Sequence, residues 1–431
     1  MNTNRKRVSV PFAWRASDGV SATGALLARS YGSEIAGVLT RAGAKWVPTQ
    51  NGLLVPRVHS ELPFAWLGGA RALLVEQSAT NLCLRSSELD NAAWANVGTP
   101  VVTANTKIAP DGTTMADTIA DTSGAETRGR RQTIVIAADT AKYAASIYVK
   151  KRTSAHSAGY VILNLRFQTG GATVDAYGVF DIFNGTAAKN AAADRVAIEA
   201  VGSYWRISIA ATNSNDTDLL FSVYPGGMST YTASTDVTGQ GTEIFWGAQV
   251  ESVIGPTSYI PTTSSSAGRQ QDTCYWDFAM LPQTMTVYCD LLDMGTRYVT
   301  GYRYLQISNS ANNAARLLLQ YDGTNVAVTH DPTGGAVSTA GVAVTHALND
   351  RVEMRAVLNA DGSVNIGTSI NGAAEATAGP GAAQAIVSTW STPTRLYLLG
   401  VGSGGANAVR SVIVATGVRT LTEMRALAGI P

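Results

Sequence analysis

Charge, cysteine and histidine are all scarce in this chain. Only 15% of its 431 residues are charged, and 32 Lys and Arg against 31 Asp and Glu leave a formal net charge of +1. Phosphate binding requires concentrated Lys and Arg, so this balance argues against nucleic acid as the main partner. Two local basic clusters, Arg128, Arg130, Arg131 and Lys150, Lys151, Arg152, read as solvated strand ends. The three cysteines, Cys83, Cys274 and Cys289, are too few and too scattered for a disulfide framework or a zinc site. Cys83 and Cys289 lie in apolar strand contexts and read as buried thiols, which suits folding in a reducing cytoplasm. The four histidines, His59, His156, His330 and His346, have no spacing that converges on a metal. No run approaches the roughly 20 apolar residues that span a bilayer. The start, MNTNRKRVSVPFAW, lacks the apolar stretch of a signal peptide.

Small residues are plentiful, and Val, Ile and Tyr accompany them, which favours an all-β chain with tight turns. The length predicts two or three domains. From Leu73 to about Gly268 strand signals recur with turn residues between them. Ala145, Ile147 and Val149 alternate with Ser146, Tyr148 and Lys150, which predicts one buried and one wet face. Phe180 and Ile182 precede the turn pair Asn184-Gly185. Trp205, Ile207 and Ile209 share a face, as do Ile244, Trp246, Ala248 and Val250. The polar run Thr262 to Ser266 is the expected domain boundary. Beyond it Met285, Val287, Cys289 and Leu291 alternate with polar partners. Hairpins are expected through Asp322-Gly323 and Asp361-Gly362, and a short helix over Leu421 to Ala428. Residues 1–72 read as an irregular arm with a short helix over Ile35 to Arg41 and short strands at Val38 to Thr40 or Leu53 to Val55. Two readings of this arm stand. It is an attachment segment that folds against a partner, or an extra strand pair covering a sheet edge.

Catalysis is not expected. Gly400 to Gly405 matches G-x-G-x-x-G, but a strand rather than a helix follows, so no pyrophosphate site forms there. No G-x-S-x-G elbow places a nucleophile, and Asp322 and Asp361 are explained as turn residues before glycine. No cofactor or metal is expected. Sugar binding relies on exposed ring faces beside amides and carboxylates in loops. Trp205 and Trp246 fall on the apolar face and read as core. The ligand-binding candidates are therefore Tyr224 and Tyr231, flanking a Pro-Gly-Gly loop, Trp390, and the Tyr302 and Tyr304 pair.

Two stretches carry more specific information. Leu73 to Leu82 reads LLVEQSATNL, and Thr242 to Thr263 reads TEIFWGAQVESVIGPTSYIPTT. With Asn91-Ala92-Ala93-Trp94 and Gly202-Ser203-Tyr204-Trp205-Arg206 between them, this combination closely resembles a module of bacteriophage virion proteins. That module is a jelly roll similar to carbohydrate-binding modules, found in tail fibres, tail spikes, head fibres and capsid-surface proteins. The segment from about Arg269 to the terminal LTEMRAL resembles, more loosely, a concanavalin or laminin-G-like sandwich. Pro56-Arg57 is similar to an element that precedes the first motif in such proteins.

The expectation is an all-β chain of two tandem antiparallel, jelly-roll-type β-sandwiches preceded by an irregular arm: 1–72, 73–268 and 269–431. The resemblance implies a non-enzymatic adhesion protein on the virion surface. Its arm would dock on other virion proteins and its sandwiches would offer loops to host-surface glycan. A homo-oligomer is implied, trimers being favoured, without membrane insertion. A purely structural decoration or tail protein, and a polysaccharide depolymerase, are the alternatives.

Overall fold

The computed structural model describes residues 12–15, 26–30, 33–40, 44–57, 63–67, 70–153, 160–229, 238–278, 284–293, 302–309, 316–321, 324–332, 337–345, 350–383, 394–398 and 406–428. Their regular secondary structure is almost entirely strand, and the one helix among them is Leu421–Leu427. The strand pairs registered among the described residues are antiparallel. The chain divides into two compact units. One comprises residues 43–56 and 79–269, and the other 1–42, 57–78 and 270–431.

The unit formed by 43–56 and 79–269 contains two six-stranded sheets. The first is centred on Lys142–Lys150, which lies between Tyr204–Thr212 and Gly241–Glu251. The second is centred on Val161–Gln168, between Val174–Asp181 and Asp218–Tyr224. Period-2 alternation directs Ala145, Ile147, Val149, Ile207 and Ile209 from the first sheet toward Leu163, Phe167, Phe180 and Phe221 of the second, and all are buried. The Asn91 to Trp94 motif enters the same core. Trp94 is buried, its ring 6.0 Å from that of Phe221, and its indole N–H donates to Arg85 O at 3.3 Å. Arg130 corrects an expectation here. It is buried rather than solvated, and it donates to Leu89 O and Asn91 O at 2.8 Å each, tying the Trp94 loop to the sheet.

The other unit is also a two-layered β structure. Met285–Asp293 lies between Arg351–Leu358 and Ala406–Thr416. A second layer runs through Tyr302–Asn309, Arg316–Tyr321, Asn325–Asp331 and Thr394–Leu398. Between the layers Met285, Val287, Cys289, Met354 and Val412 meet Trp276, Leu305, Leu319, Val328 and Leu396. The expected hairpins pair as read, Arg316–Tyr321 with Asn325–Asp331 and Arg351–Leu358 with Val364–Ile370. The turn pair Asp322-Gly323 and the Gly400 to Gly405 loop lie outside the described residues. All three cysteines are buried free thiols.

The first 78 residues are shared out in a way the sequence did not suggest. Phe12–Arg15 pairs with Ala406–Thr416, and Leu26–Ser30 pairs with Ser33–Thr40. Ser33–Thr40 is a strand where a helix was expected. Its first half pairs with Leu26–Ser30 and its last three residues with Thr273–Phe278, so it passes from one layer to the other. The expected boundary between residues 72 and 73 falls inside the strand Ala70–Glu76, which pairs with Ala406–Thr416. The boundary expected after 268 falls between Arg269 and Gln270.

The helix is set by its own sequence and by one buried carboxylate. Thr420 and Glu423 form a reciprocal capping box. Leu421, Met424 and Ala428 pack on Tyr288, Ile413 and Ala415. The Glu353 carboxylate, fully buried, accepts from Tyr288 Oη at 2.6 Å, Arg351 Nη2 at 2.9 Å and Arg425 Nη2 at 2.6 Å. Burial alone would raise its pKa, yet these donors hold it below the usual carboxylate range. Glu353→Ala removes the Tyr288 acceptor and the carboxylate shared by Arg351 and Arg425, which retain only Asp290 and Ser369. It is expected to destabilise this unit by about 3 kcal/mol, measured by urea unfolding.

Candidate functional site

The two recognised stretches converge on one buried polar lock within residues 79–269. Asn81 is fully buried. Its Nδ2 donates to Ala248 O at 3.1 Å and Ile260 O at 2.8 Å. Its Oδ1 accepts from Val250 N at 3.0 Å and Cys83 N at 3.1 Å. Gln249 and Glu251 secure the exit segment in the same way. Gln249 Oε1 accepts from Ile260 N, and Glu251 accepts from the Thr257 amide and hydroxyl at 2.8 and 2.6 Å. Burial raises the Glu251 pKa against the effect of these bonds. Thr262 donates to Cys83 O at 2.6 Å, and Ala79–Asn81 pairs with Ala267–Arg269. The chain thus enters and leaves this unit through adjacent strands. The preceding Leu73 to Glu76 of the first motif belongs to the other unit.

A bulge determines what the first sheet offers on its outer face. Tyr148 is opposite Trp246, whereas Ser146 is opposite Gln249, so one extra residue is accommodated around Gly247. Gly247 has φ +70°, and a Cβ there would lie 2.9 Å from the Tyr148 ring. The bulge reverses the side-chain alternation. Ala248 and Val250 face the core between the sheets, while Ile244 and Trp246 face outward with Tyr148, Tyr204 and Tyr259. This corrects the expectation that all four share one face. The outer face is not wet either, because Ser146 and Tyr148 are buried. The exit segment covers it with Tyr259, whose ring centroid is 4.6 Å from that of Trp246. The hairpin of Lys45–Pro48 and Leu54–Arg57 adds Leu54 and Trp46. Gly52 and Gly202 make this closure possible, since a Cβ on Gly52 would lie 2.1 Å from Gly202 Cα.

Of the ligand-binding candidates, Tyr224 and Tyr304 have described side chains, and they belong to different units. Tyr224 ends the strand Asp218–Tyr224 and is buried, 8% exposed. Tyr304 lies in the core of the other unit, 2% exposed. Neither presents a ring face. Strand alternation puts Tyr224 on the opposite face from Phe221 and Val223, packed with Ile162 and Val179, and an irregularity between Arg303 and Leu305 turns Tyr304 inward. Tyr302 lies in the strand Tyr302–Asn309. Tyr231 and Trp390 lie outside the described residues. Trp205 is half-buried, packed against the core as expected, with its N–H donating to Ile182 O at 2.7 Å.

Two open recesses adjoin one another in this unit. The larger, about 540 Å³, is formed where Asp121–Thr122, Lys150–Thr153 and Gln240–Ile244 end or begin neighbouring strands. The smaller, about 430 Å³, lies between the hairpin residues Asn51 to Leu53, the turn Lys107 to Pro110 and Val201 to Tyr204. Lys150 lines both. In the larger recess Arg152 donates through Nε and Nη2 to Glu243 Oε1. Burial raises the Glu243 carboxyl to about 7 in spite of Arg152. The sequence flagged Lys150 to Arg152 as a basic cluster. It gave no sign that Gln240 to Ile244 runs alongside, since that pairing joins residues about a hundred apart.

No family model matches the sequence, and no curated protein does. A search of solved structures gives the N-terminal CBM22-1-CBM22-2 tandem domain from Paenibacillus barcinonensis Xyn10C, at 10% identity, with a TM-score of 0.27. The match covers 79% of this chain and 98% of that one. At that TM-score the likeness carries no inference about ligand or partner.

Asn81→Ala removes four hydrogen bonds from a dry site and is expected to cost about 2–4 kcal/mol in chemical unfolding, more than a typical surface Asn. Glu243 supplies a pH test. Burial raises its carboxyl to about 7 in the folded state, from the ordinary glutamate value of 4.5. Between those values the folded state holds the extra proton, so Glu243 lowers stability as pH rises through that window. The melting temperature of the native chain relative to Glu243→Gln is therefore expected to fall from pH 4.5 to about 7, as read by calorimetry.

Proposed function

We propose that this chain is a non-enzymatic surface protein of a bacteriophage particle, of the tail-fibre, tail-spike or head-fibre kind, that adheres to host-surface glycan. The observation that carries this reading is the polar lock. The residues by which the sequence resembles the phage virion module, Asn81, Gln249, Glu251, Thr257 and Thr262, are the ones that close the sandwich of residues 79–269. They are therefore motif residues with a structural reason to occur together. The larger recess gives that sandwich a surface for a polar ligand. Weak contacts at single sites would be multiplied by many copies on one particle.

Docking on other virion proteins is assigned to residues 1–72, and a homo-oligomer, trimeric by preference, is part of the same reading. Because strands of this segment pair within the 270–431 unit, deleting it would disturb that sandwich. Cross-linking of the intact chain on particles is the suitable probe. A second reading, a decoration or tail protein that binds no sugar, is favoured by one observation. The aromatic outer face of Tyr148, Trp246 and Tyr259 is covered by the protein's own chain and offers no stacking platform.

Glycan-array binding by the full-length recombinant chain is expected, with cross-links from residues 1–72 to a neighbouring virion protein. Absence of any glycan binding, with symmetric density on capsid or tail, would leave the structural reading standing.

A further inference from the structure

On the premise that the chain binds glycan, the smaller recess narrows the ligand class. Two turns border it, and each is fixed by its own hydrogen bonds. In one, Gly52 N donates to Thr49 O at 2.8 Å and Leu53 N to Thr49 Oγ1 at 3.1 Å. In the other, Gly112 N donates to Ala109 O at 3.0 Å and Ala109 N to Thr113 O at 2.7 Å. Leu54 N joins them by donating to Pro110 O, and Tyr204 Oη donates to Ile108 O at 2.7 Å. A recess between turns held in this way is formed before a ligand arrives, which spares the cost of ordering it. Two of its apolar side chains face solvent, Leu53 at 43% and Ile108 at 63% exposure. Its charge comes from Lys107 and Lys150. Lys150 Nζ lies 5.1 Å from the ring centroid of Tyr204, which belongs to the same lining. Neither lysine has a carboxylate within ion-pair distance among the described residues. Asp111, which follows Pro110, is outside the lining, and its Oδ1 accepts from Thr113 N and Oγ1 at 2.9 and 2.7 Å. An ammonium has three donors, so both lysines retain donors for a ligand.

Tyr204 is the one aromatic residue of the lining, and at 2% exposure it offers no stacking face. An unsubstituted pyranose directs hydroxyls outward all round its ring and gains little against Leu53 and Ile108. The methyl of an acyl substituent, by contrast, removes apolar surface from water there. A carboxylate or phosphate on the same sugar meets two ammonium groups with no acid of the lining competing for them. We propose that the smaller recess binds host-surface sugar units that carry both an acyl substituent and an anionic group, with the acyl methyl against Leu53 and Ile108 and the anion at Lys107 and Lys150. Asn51 and Ser203, also in the lining, bond sugar hydroxyls. Both ammonium groups lie close to solvent, so binding weakens with salt.

The test uses the full-length chain and four soluble oligosaccharides of similar length. They are O-acetylated oligogalacturonate, the same oligomer after alkaline removal of its esters, chitotetraose (acylated but neutral), and a dextran oligomer with neither group. Affinities are measured by calorimetry or interferometry at low and high salt. The acetylated oligogalacturonate is expected to bind about fivefold or more tighter than the de-acetylated oligomer or chitotetraose, with dextran weakest. Lys107→Gln with Lys150→Gln is expected to weaken its binding about fivefold or more and to flatten the salt dependence, leaving chitotetraose unchanged. Leu53→Ser with Ile108→Ser is expected to abolish the preference for the acetylated over the de-acetylated oligomer. Val135→Ser, 80% exposed and outside the lining, is expected to change nothing. Should a double variant fail to fold by circular dichroism, Lys107→Gln alone or Ile108→Ser alone, at exposed positions, decides. Equal affinity for all four oligomers, full affinity in both double variants, or array binding confined to neutral or unacylated glycans overturns the assignment and leaves glycan adhesion intact. So does loss of self-association in sedimentation, without change in glycan binding, for Leu53→Ser with Ile108→Ser, which would make this border a contact between copies. No binding of any glycan, on the array or in solution, overturns both.

Discussion

Burying a side-chain amide between strands costs free energy unless each donor and acceptor finds a partner. Asn81 meets that condition with four main-chain partners on three separated stretches. The constraint works in both directions. An amide at this position forces Ala248, Val250, Cys83 and Ile260 into one arrangement, and any slip in register would leave it unsatisfied in a dry site. Gln249 and Glu251 impose the same condition on Thr257 to Ile260. A hydrophobic substitute would fill the space without selecting a register, because apolar contact is non-directional.

The lock also explains why the outer sheet face is unavailable. Once the exit segment is fastened, Tyr259 is held against Trp246 and Tyr148. The Gly247 bulge places Trp246 on that side in the first place. The hairpin of residues 45–57 completes the cover, with Leu54 N donating to Pro110 O at 2.8 Å. Aromatic residues of the kind that serve many sugar sites thus become internal packing. Open space remains where strands end, at Lys150 to Thr153, where the lining is mainly polar and charged, and around Gly202, where Leu53, Ile108, Val201 and Tyr204 join Lys107 and Lys150.

The companion unit depends on a different device. Its helix is anchored through Arg425 to Glu353, a carboxylate buried beneath it and shared with Arg351 and Tyr288. The side chain at 353 is charged and lies mid-strand, in Arg351–Leu358. Arg425, arriving from a helix 72 residues later, joins Arg351 and Tyr288 in making its burial tolerable.

By itself the sequence determined the all-β class, because period-2 alternation and turn residues are local properties of each strand. Its reading of Met285 to Leu291, of the hairpin strands either side of Asp322-Gly323 and Asp361-Gly362, and of the capped LTEMRAL helix rested on such local signals. It also marked the motif residues and the basic run Lys150 to Arg152. Tertiary structure alone decided which strands share a layer, where the first 78 residues belong, which face Trp246 occupies, and which groups border Lys150. Those outcomes depend on partners far away in the chain. Alternation carries no record of a partner's identity, and a one-residue bulge at Gly247 reverses it without altering the composition of the strand.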